Sequence, residues 1–185
     1  MTTLDPAALA VRFARALQAA GVPYAIGGAI AYGFWGVPRG TRDLDVNVFL
    51  PAERADVAIE PLAKVGLEID RAAARRTVLE RGDARGRYQD IPVDLFFVAI
   101  PLHESAAKRT VEVTLLGTSI RVLSAEDLVV FKLLFFRGKD IVDVERLVAS
   151  QGDRLDRAYV RTWLVACVGE CDERVRRWDA IVAAF

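Results

Sequence analysis

The stretch GGAIAYGFWGVPRGTRDLDVNVFL (residues 27–50) decides the fold, because it joins a glycine pair to two aspartates that stand one residue apart at the head of an apolar run. In DLDVNV the residue types alternate, so on a strand Asp43, Asp45 and Asn47 share one face while Leu44, Val46 and Val48 share the other. The Cα atoms of the two aspartates then stand about 7 Å apart. Two negative charges at that separation repel by about 2 kcal/mol at an effective dielectric of about 20. A compensating cation is expected. Mg²⁺ suits the position, since it prefers hard oxygen ligands and is commonly held by one or two carboxylates together with substrate phosphates.

A third carboxylate stands in IPVDLFFVA (91–99), where Asp94 lies between Val93 and Leu95 in a strand too apolar to bury a lone charge cheaply. If this strand lies beside DLDV, Asp94 completes a cluster able to hold two cations about 3.5–4 Å apart. Upstream, Gly27 and Gly28 follow a short strand, PYAI, and precede a short helix, AIAYGFW. Such a pair permits close backbone approach, and the helix start offers free N–H groups to an anion. Two familiar phosphate motifs do not fit. There is no G-x-G-x-x-G, and Phe34 and Trp35 stand where a P-loop has Lys and Ser or Thr.

The bulk numbers set the frame. At 185 residues, 53% hydrophobic and 27% charged, the chain can bury one sizeable core and carry a helical appendage. Its 25 basic and 25 acidic residues cancel, so overall charge does not argue for nucleic acid or membrane. Arg71, Arg75, Arg76, Arg81, Arg85 and Arg87, and then Arg174, Arg176 and Arg177, read as solvated faces. The longest apolar run, LVVFKLLFF (128–136), is short and carries Lys132, and the N-terminal MTTLDPAALAVRFARAL lacks a signal-peptide pattern. A cytoplasmic location without a membrane partner is therefore expected. Cys167 and Cys171, with His103 as the single histidine, are too few for a zinc site. At helical spacing they read as core residues, and His103 as a loop histidine.

Hydrophobic periodicity orders the rest. A helix opens at Asp5-Pro6 and stops at Gly21; PAERADVAIEPLAKVG reads as a helix broken or kinked at Pro61 and ended by Gly66. RRTVLERG, IPVDLFFVA, TVEVTLL and TSIRVL read as strands, with a hairpin turn at Gly117-Thr118. Ser124, with Asp127 three residues on, caps AEDLVVFKLLFF, and further helices start near Lys139, Asp156 and Cys171. The expected class is α/β (α+β), a small mixed sheet flanked by helices. Residues 1–123 form the core, and 124–185 form a helical portion packed on it.

With these residues in hand, the chain resembles the polymerase-beta-like nucleotidyltransferase superfamily. The likeness rests on IGG (26–28), then fourteen residues, then DLDV (43–46), then Asp94 in an apolar strand. RGTRDLDV and LSAEDLVVFKLLFFRGKDIVDVERL (123–147) further resemble the AbiEii/AbiGii-type toxin nucleotidyltransferases, over roughly residues 20–150.

The resemblance implies the nucleotidyltransferase fold and a nucleoside triphosphate seated on Gly27 and Gly28. It implies Mg²⁺, as two ions, held by Asp43, Asp45 and Asp94, with Asp94 as ligand or general base. Arg39, Thr41 and Arg42, and later Lys132, Arg137, Lys139 and Asp140, match positions near the nucleotide in similar enzymes. The acceptor hydroxyl would belong to RNA or tRNA, and a cognate antitoxin protein would be a partner. A small-molecule nucleotidyltransferase resembling the aminoglycoside-modifying enzymes is the alternative, as is a non-catalytic relative that binds nucleotide, RNA or a partner protein.

Overall fold

The computed structural model describes residues 5–185; residues 1–4 of the N-terminal stretch read above lie outside the described residues. Two compact units divide the chain: one takes in the residues up to Ile30 together with Gly40–Leu123, the other Ala31–Arg39 together with Ser124–Phe185. In chain order the elements up to Leu123 are α1 (Pro6–Ala19), β1 (Tyr24–Ile26), α2 (Gly28–Trp35), β2 (Leu44–Pro51), α3 (Ala55–Lys64) and α4 (Arg71–Arg81). Then come β3 (Asp83–Tyr88), β4 (Ile91–Val98), α5 (Pro101–Arg109), β5 (Val111–Leu115) and β6 (Thr118–Val122).

The six strands form one sheet in the order β3-β4-β2-β1-β6-β5. β2 and β4 are parallel, as are β1 and β6, and the remaining pairs are antiparallel. The expected mixed sheet is thus present. Its core is built by alternation: Leu44, Val46 and Val48 of β2 and Val93, Leu95 and Phe97 of β4 are fully buried. Each such side chain adds about 1.5–3 kcal/mol of apolar burial. Leu9, Phe13 and Leu17 form the buried stripe of α1, which packs on α3 and β6. The other face of β2 and β4 carries Asp45, Asn47 and Asp94 together with Phe49, Phe96 and Val98.

The structure departs from the sequence expectations in three places. RRTVLERG is helix: Asp70 caps α4 by accepting from the Ala73 N–H at 3.0 Å, Gly82 ends it at φ +78°, and its alanines favour helix over strand. The strand lies just after it, in β3, whose sequence DARGRY has no β-branched residue and is extended only because it pairs with β4. Helix α3 runs through Pro61; the carbonyl freed by the missing N–H is that of Val57, which is exposed to water. His103 lies on α5, buried, with Nδ1 against the Ile100 backbone, and burial lowers its pKa.

Two smaller differences concern turns. The β5–β6 turn is Leu116-Gly117, both with positive φ, rather than Gly117-Thr118. Cys167 is half-buried on a helix, and Cys171 is exposed in the turn beyond it, so neither is a core residue.

The second unit holds α6 (Ala125–Phe135), α7 (Gly138–Gln151), α8 (Arg157–Val168) and α9 (Glu173–Ala184). α6 packs on α7, α8 and α9, which explains its nearly unbroken apolar sequence. Ser124 caps it by accepting from the Asp127 N–H at 3.1 Å, and the Tyr159 hydroxyl donates to Asp127 Oδ1 at 2.6 Å. Among the described residues, no helix is long and apolar enough to cross a membrane.

Candidate active site

Asp45 and Asp94 face each other directly across the parallel β2–β4 pair, with Asp43 two residues upstream of Asp45. Neighbouring strands lie about 4.8 Å apart, so this register sets Asp45 beside Asp94, two of the three carboxylates that the sequence singled out. On the far side of β2, the Gly27 N–H donates to the Asp45 carbonyl at 2.9 Å, which places the glycine pair in the same row.

That row is tight. A Cβ on Gly28 would stand 1.7 Å from Asp45 Oδ2, and the residue already sits at φ +54°. A Cβ on Gly27 would stand 2.7 Å from Asn47 Nδ2. Only glycine admits the Asp45 carboxylate so close to the backbone at position 28. Thr41 reaches back from the loop before β2, its hydroxyl donating to Asp43 Oδ1, while Arg42 beside it is exposed.

The row continues into β3. Arg85 is the cross-strand partner of Asp94, and its guanidinium grips that carboxylate with Nε–Oδ1 2.6 Å and Nη2–Oδ2 2.8 Å. The Arg85 proton is held more firmly than usual, first by its hydrogen bond to Asp94 and more weakly by the charges of Asp94, Asp43 and Asp45. Sequence reading placed Arg85 in a solvated arginine cluster and so missed it. The hairpin register could have found it: a turn at Gln89-Asp90 pairs Tyr88 with Ile91 and, three steps back, Arg85 with Asp94.

The remaining candidates lie in the helical unit. Lys132 does not reach solvent: it is buried, its Nζ 2.7 Å from Asp143 Oδ2 and 3.7 Å from Asp140 Oδ1. Arg39 binds Asp143 through Nε at 3.1 Å and Nη2 at 2.8 Å. Arg137 binds Asp140 through Nε at 2.6 Å, and Lys139 is exposed. Burial alone would raise the Asp143 carboxyl, yet hydrogen bonds from Arg39 and Lys132 outweigh it and hold the pKa below the usual range. The Tyr32 ring lies between the two cations, 5.6 Å from Lys132 Nζ and 5.9 Å from Arg39 Cζ. Among the described residues, its buried hydroxyl has no hydrogen-bond partner. Asp143 and Tyr32, which complete this network, carried no sequence signal beyond helical position.

A family model described as nucleotidyl transferase of unknown function (DUF2204) matches residues 8–177. The chain belongs to this family. It is therefore an enzyme of the nucleotidyltransferase class, and membership implies a nucleoside triphosphate as substrate. No curated protein matches the chain. Among solved structures, the solution structure of the antibiotic-resistance factor ANT(2'')-Ia is similar, with a TM-score of 0.60 at 17% identity over 96% of this chain and 95% of that one. A crystal structure of ANT(2'')-Ia in complex with adenylyl-2''-tobramycin gives 0.62 at 16% identity over 88% and 98%. An antigenic nucleotidyltransferase-like protein from Paracoccidioides brasiliensis gives 0.53 at 15% over 95% and 93%. At these identities the likeness speaks for the fold.

Nucleotidyltransferases typically use a divalent metal. Asp43, Asp45 and Asp94 offer hard carboxylate oxygens on one face of adjacent strands, the chemistry that Mg²⁺ takes. As the side chains lie, however, no three His, Cys, Asp or Glu among the described residues are grouped to hold an ion. Asp94 is turned to Arg85, and Asp43 to Thr41. These three carboxylates suit such a metal in donor chemistry, with an internal cation in contact with Asp94.

Proposed function

We propose that this DUF2204 nucleotidyl transferase moves a nucleoside monophosphate from a nucleoside triphosphate to an acceptor hydroxyl, using Mg²⁺ held by Asp43, Asp45 and Asp94. The observation that carries the reading is the direct β2–β4 register of Asp45 with Asp94 beside a glycine that only a bare backbone can fill. When bound, Mg²⁺ would neutralise the triphosphate and favour ionisation of the acceptor hydroxyl. Gly27 and Gly28 offer unhindered backbone to the phosphates, and Thr41 and Arg42 stand before β2 as further phosphate contacts. The acceptor hydroxyl attacks the α-phosphate in line, its proton passes to Asp94, and pyrophosphate leaves. Of the helical unit's candidates, Arg39, Arg137 and Lys139 retain solvent-facing character and are proposed as nucleotide contacts. Lys132 and Asp140 support them from within.

For the acceptor, the toxin-type reading takes RNA, with tRNA first, and a cognate antitoxin as partner; it rests on the resemblance of RGTRDLDV and of residues 123–147. A small-molecule acceptor is the second reading, favoured by the tobramycin adduct bound to ANT(2'')-Ia. Calorimetric titration of each triphosphate with and without Mg²⁺, on wild type and Asp45→Asn, tests the common part. Metal-dependent binding that vanishes in the variant is expected. Binding that ignores both metal and variant overturns the reading.

A further inference from the structure

We propose that Arg85 is a positioning residue that acts as the resident cation of the carboxylate face, holding Asp94 while nucleotide and metal are away and releasing it when they arrive. The inference rests on the reading of Asp94 as metal ligand or general base, and adds to it the residue that controls its availability.

Four observations carry it. The Arg85–Asp94 contact is bidentate, at 2.6 and 2.8 Å, so each carboxylate oxygen already takes a charge-assisted hydrogen bond and a dication bound there meets the guanidinium charge at close range. The two partners are unequal in freedom: the Arg85 side chain is 74% exposed on the edge strand β3, whereas Asp94 is 19% exposed on the inner strand β4. An ion pair this open adds little to stability, so a purely structural role explains it poorly. The register sets Arg85 beside Asp94, and Asp94 beside Asp45, so the Arg85 charge lies in the same cross-strand row as two of the carboxylates.

Arg85 also has somewhere to go. It lines a groove of about 660 Å³ that Glu68, Asp70 and Asp90 also line; Glu68 pairs with Arg87 and Asp70 caps α4, which leaves Asp90 as the carboxylate for a released guanidinium. The side chain therefore has two resting places, one on Asp94 and one over the groove. A dication entering at Asp43 and Asp45 selects the second by repulsion.

The test is Mn²⁺ binding to the full chain without nucleotide, read from the electron paramagnetic resonance of free Mn²⁺. Wild type, Arg85→Gln, Arg87→Gln, Asp94→Asn and the Arg85→Gln/Asp94→Asn double variant are compared. One positive charge at ~6 Å from a dication in water-like surroundings corresponds to about a tenfold change in affinity. Arg85→Gln is expected to bind Mn²⁺ about tenfold more tightly than wild type, with Arg87→Gln changing affinity far less and the double variant losing the gain. Equal affinity in wild type and Arg85→Gln overturns the role of Arg85 alone, as does a gain that persists in the double variant. No Mn²⁺ binding by either protein overturns the metal reading of Asp94 and, with it, this inference. Should Arg85→Gln not fold, the Arg85 Nε–H resonance of wild type decides: Mg²⁺ with a non-hydrolysable triphosphate is expected to move it toward the position of free arginine, and an unmoved signal overturns the proposal.

Discussion

Replacing Gly28 by alanine tests the close approach on which the carboxylate face depends. The new Cβ would stand 1.7 Å from Asp45 Oδ2, 2.7 Å from its Cγ and 3.1 Å from its Cβ, so the whole carboxylate must turn away. An alanine at φ +54° adds about 1–2 kcal/mol of backbone cost, and an off-rotamer Asp45 about 0.5–1.5 kcal/mol. The sum of about 1.5–3.5 kcal/mol lowers the melting temperature by about 3–14 °C in a chain of this size. The binding effect is the sharper one. Disturbing how a metal ligand is held costs about 10–100-fold in metal affinity, which calorimetric titration of Mg²⁺ with triphosphate reads directly. Gly21→Ala supplies the control, because Gly21 has nearly the same backbone, φ +64°, with nothing within 4 Å of the added Cβ. It should show the backbone cost and leave ligand binding untouched. If Gly28→Ala matches Gly21→Ala in both measurements, the reasoning about Asp45 and Gly28 is wrong.

The helical unit yields two further outcomes. Asp143 has a lowered pKa in the folded chain, so its contribution to stability is complete above the unfolded value of about 3.9 and is lost as pH falls through the folded value. Asp143→Asn, which leaves Lys132 and Arg39 without their shared carboxylate, should lose about 3 kcal/mol at neutral pH and show a shallower decline below about pH 4 in denaturant titrations. Tyr32→Phe removes a buried hydroxyl that has no partner, so the variant should be as stable as wild type or up to about 1 kcal/mol more stable by thermal unfolding.

Local pattern made much of this molecule legible. The strict alternation of DLDVNV placed Asp43 and Asp45 on one face of a strand, and the burial of Leu44, Val46 and Val48 agrees with it. Ser124 and Asp127 announced α6, because a cap is a bond between residues three apart and needs nothing distant. The same locality misled at RRTVLERG, where Thr77 and Val78 suggested a strand, while the deciding groups were the caps Asp70 and Gly82 at either end.

What the chain determined by itself is which residues share a face, since that follows from a period of two or of 3.6 along the backbone. What stands beside what needed the folded chain. That Asp94 lies opposite Asp45, that Arg85 lies opposite Asp94, and that Lys132 is buried against Asp143 are facts of strand order, register and helix packing. The first of these pairings joins residues far apart in sequence, and its free energy comes from burying whole faces together. No short window of sequence contains that energy, so only the tertiary structure could decide that Asp45 and Asp94 stand side by side, whereas the Arg85–Asp94 pair lies within one hairpin.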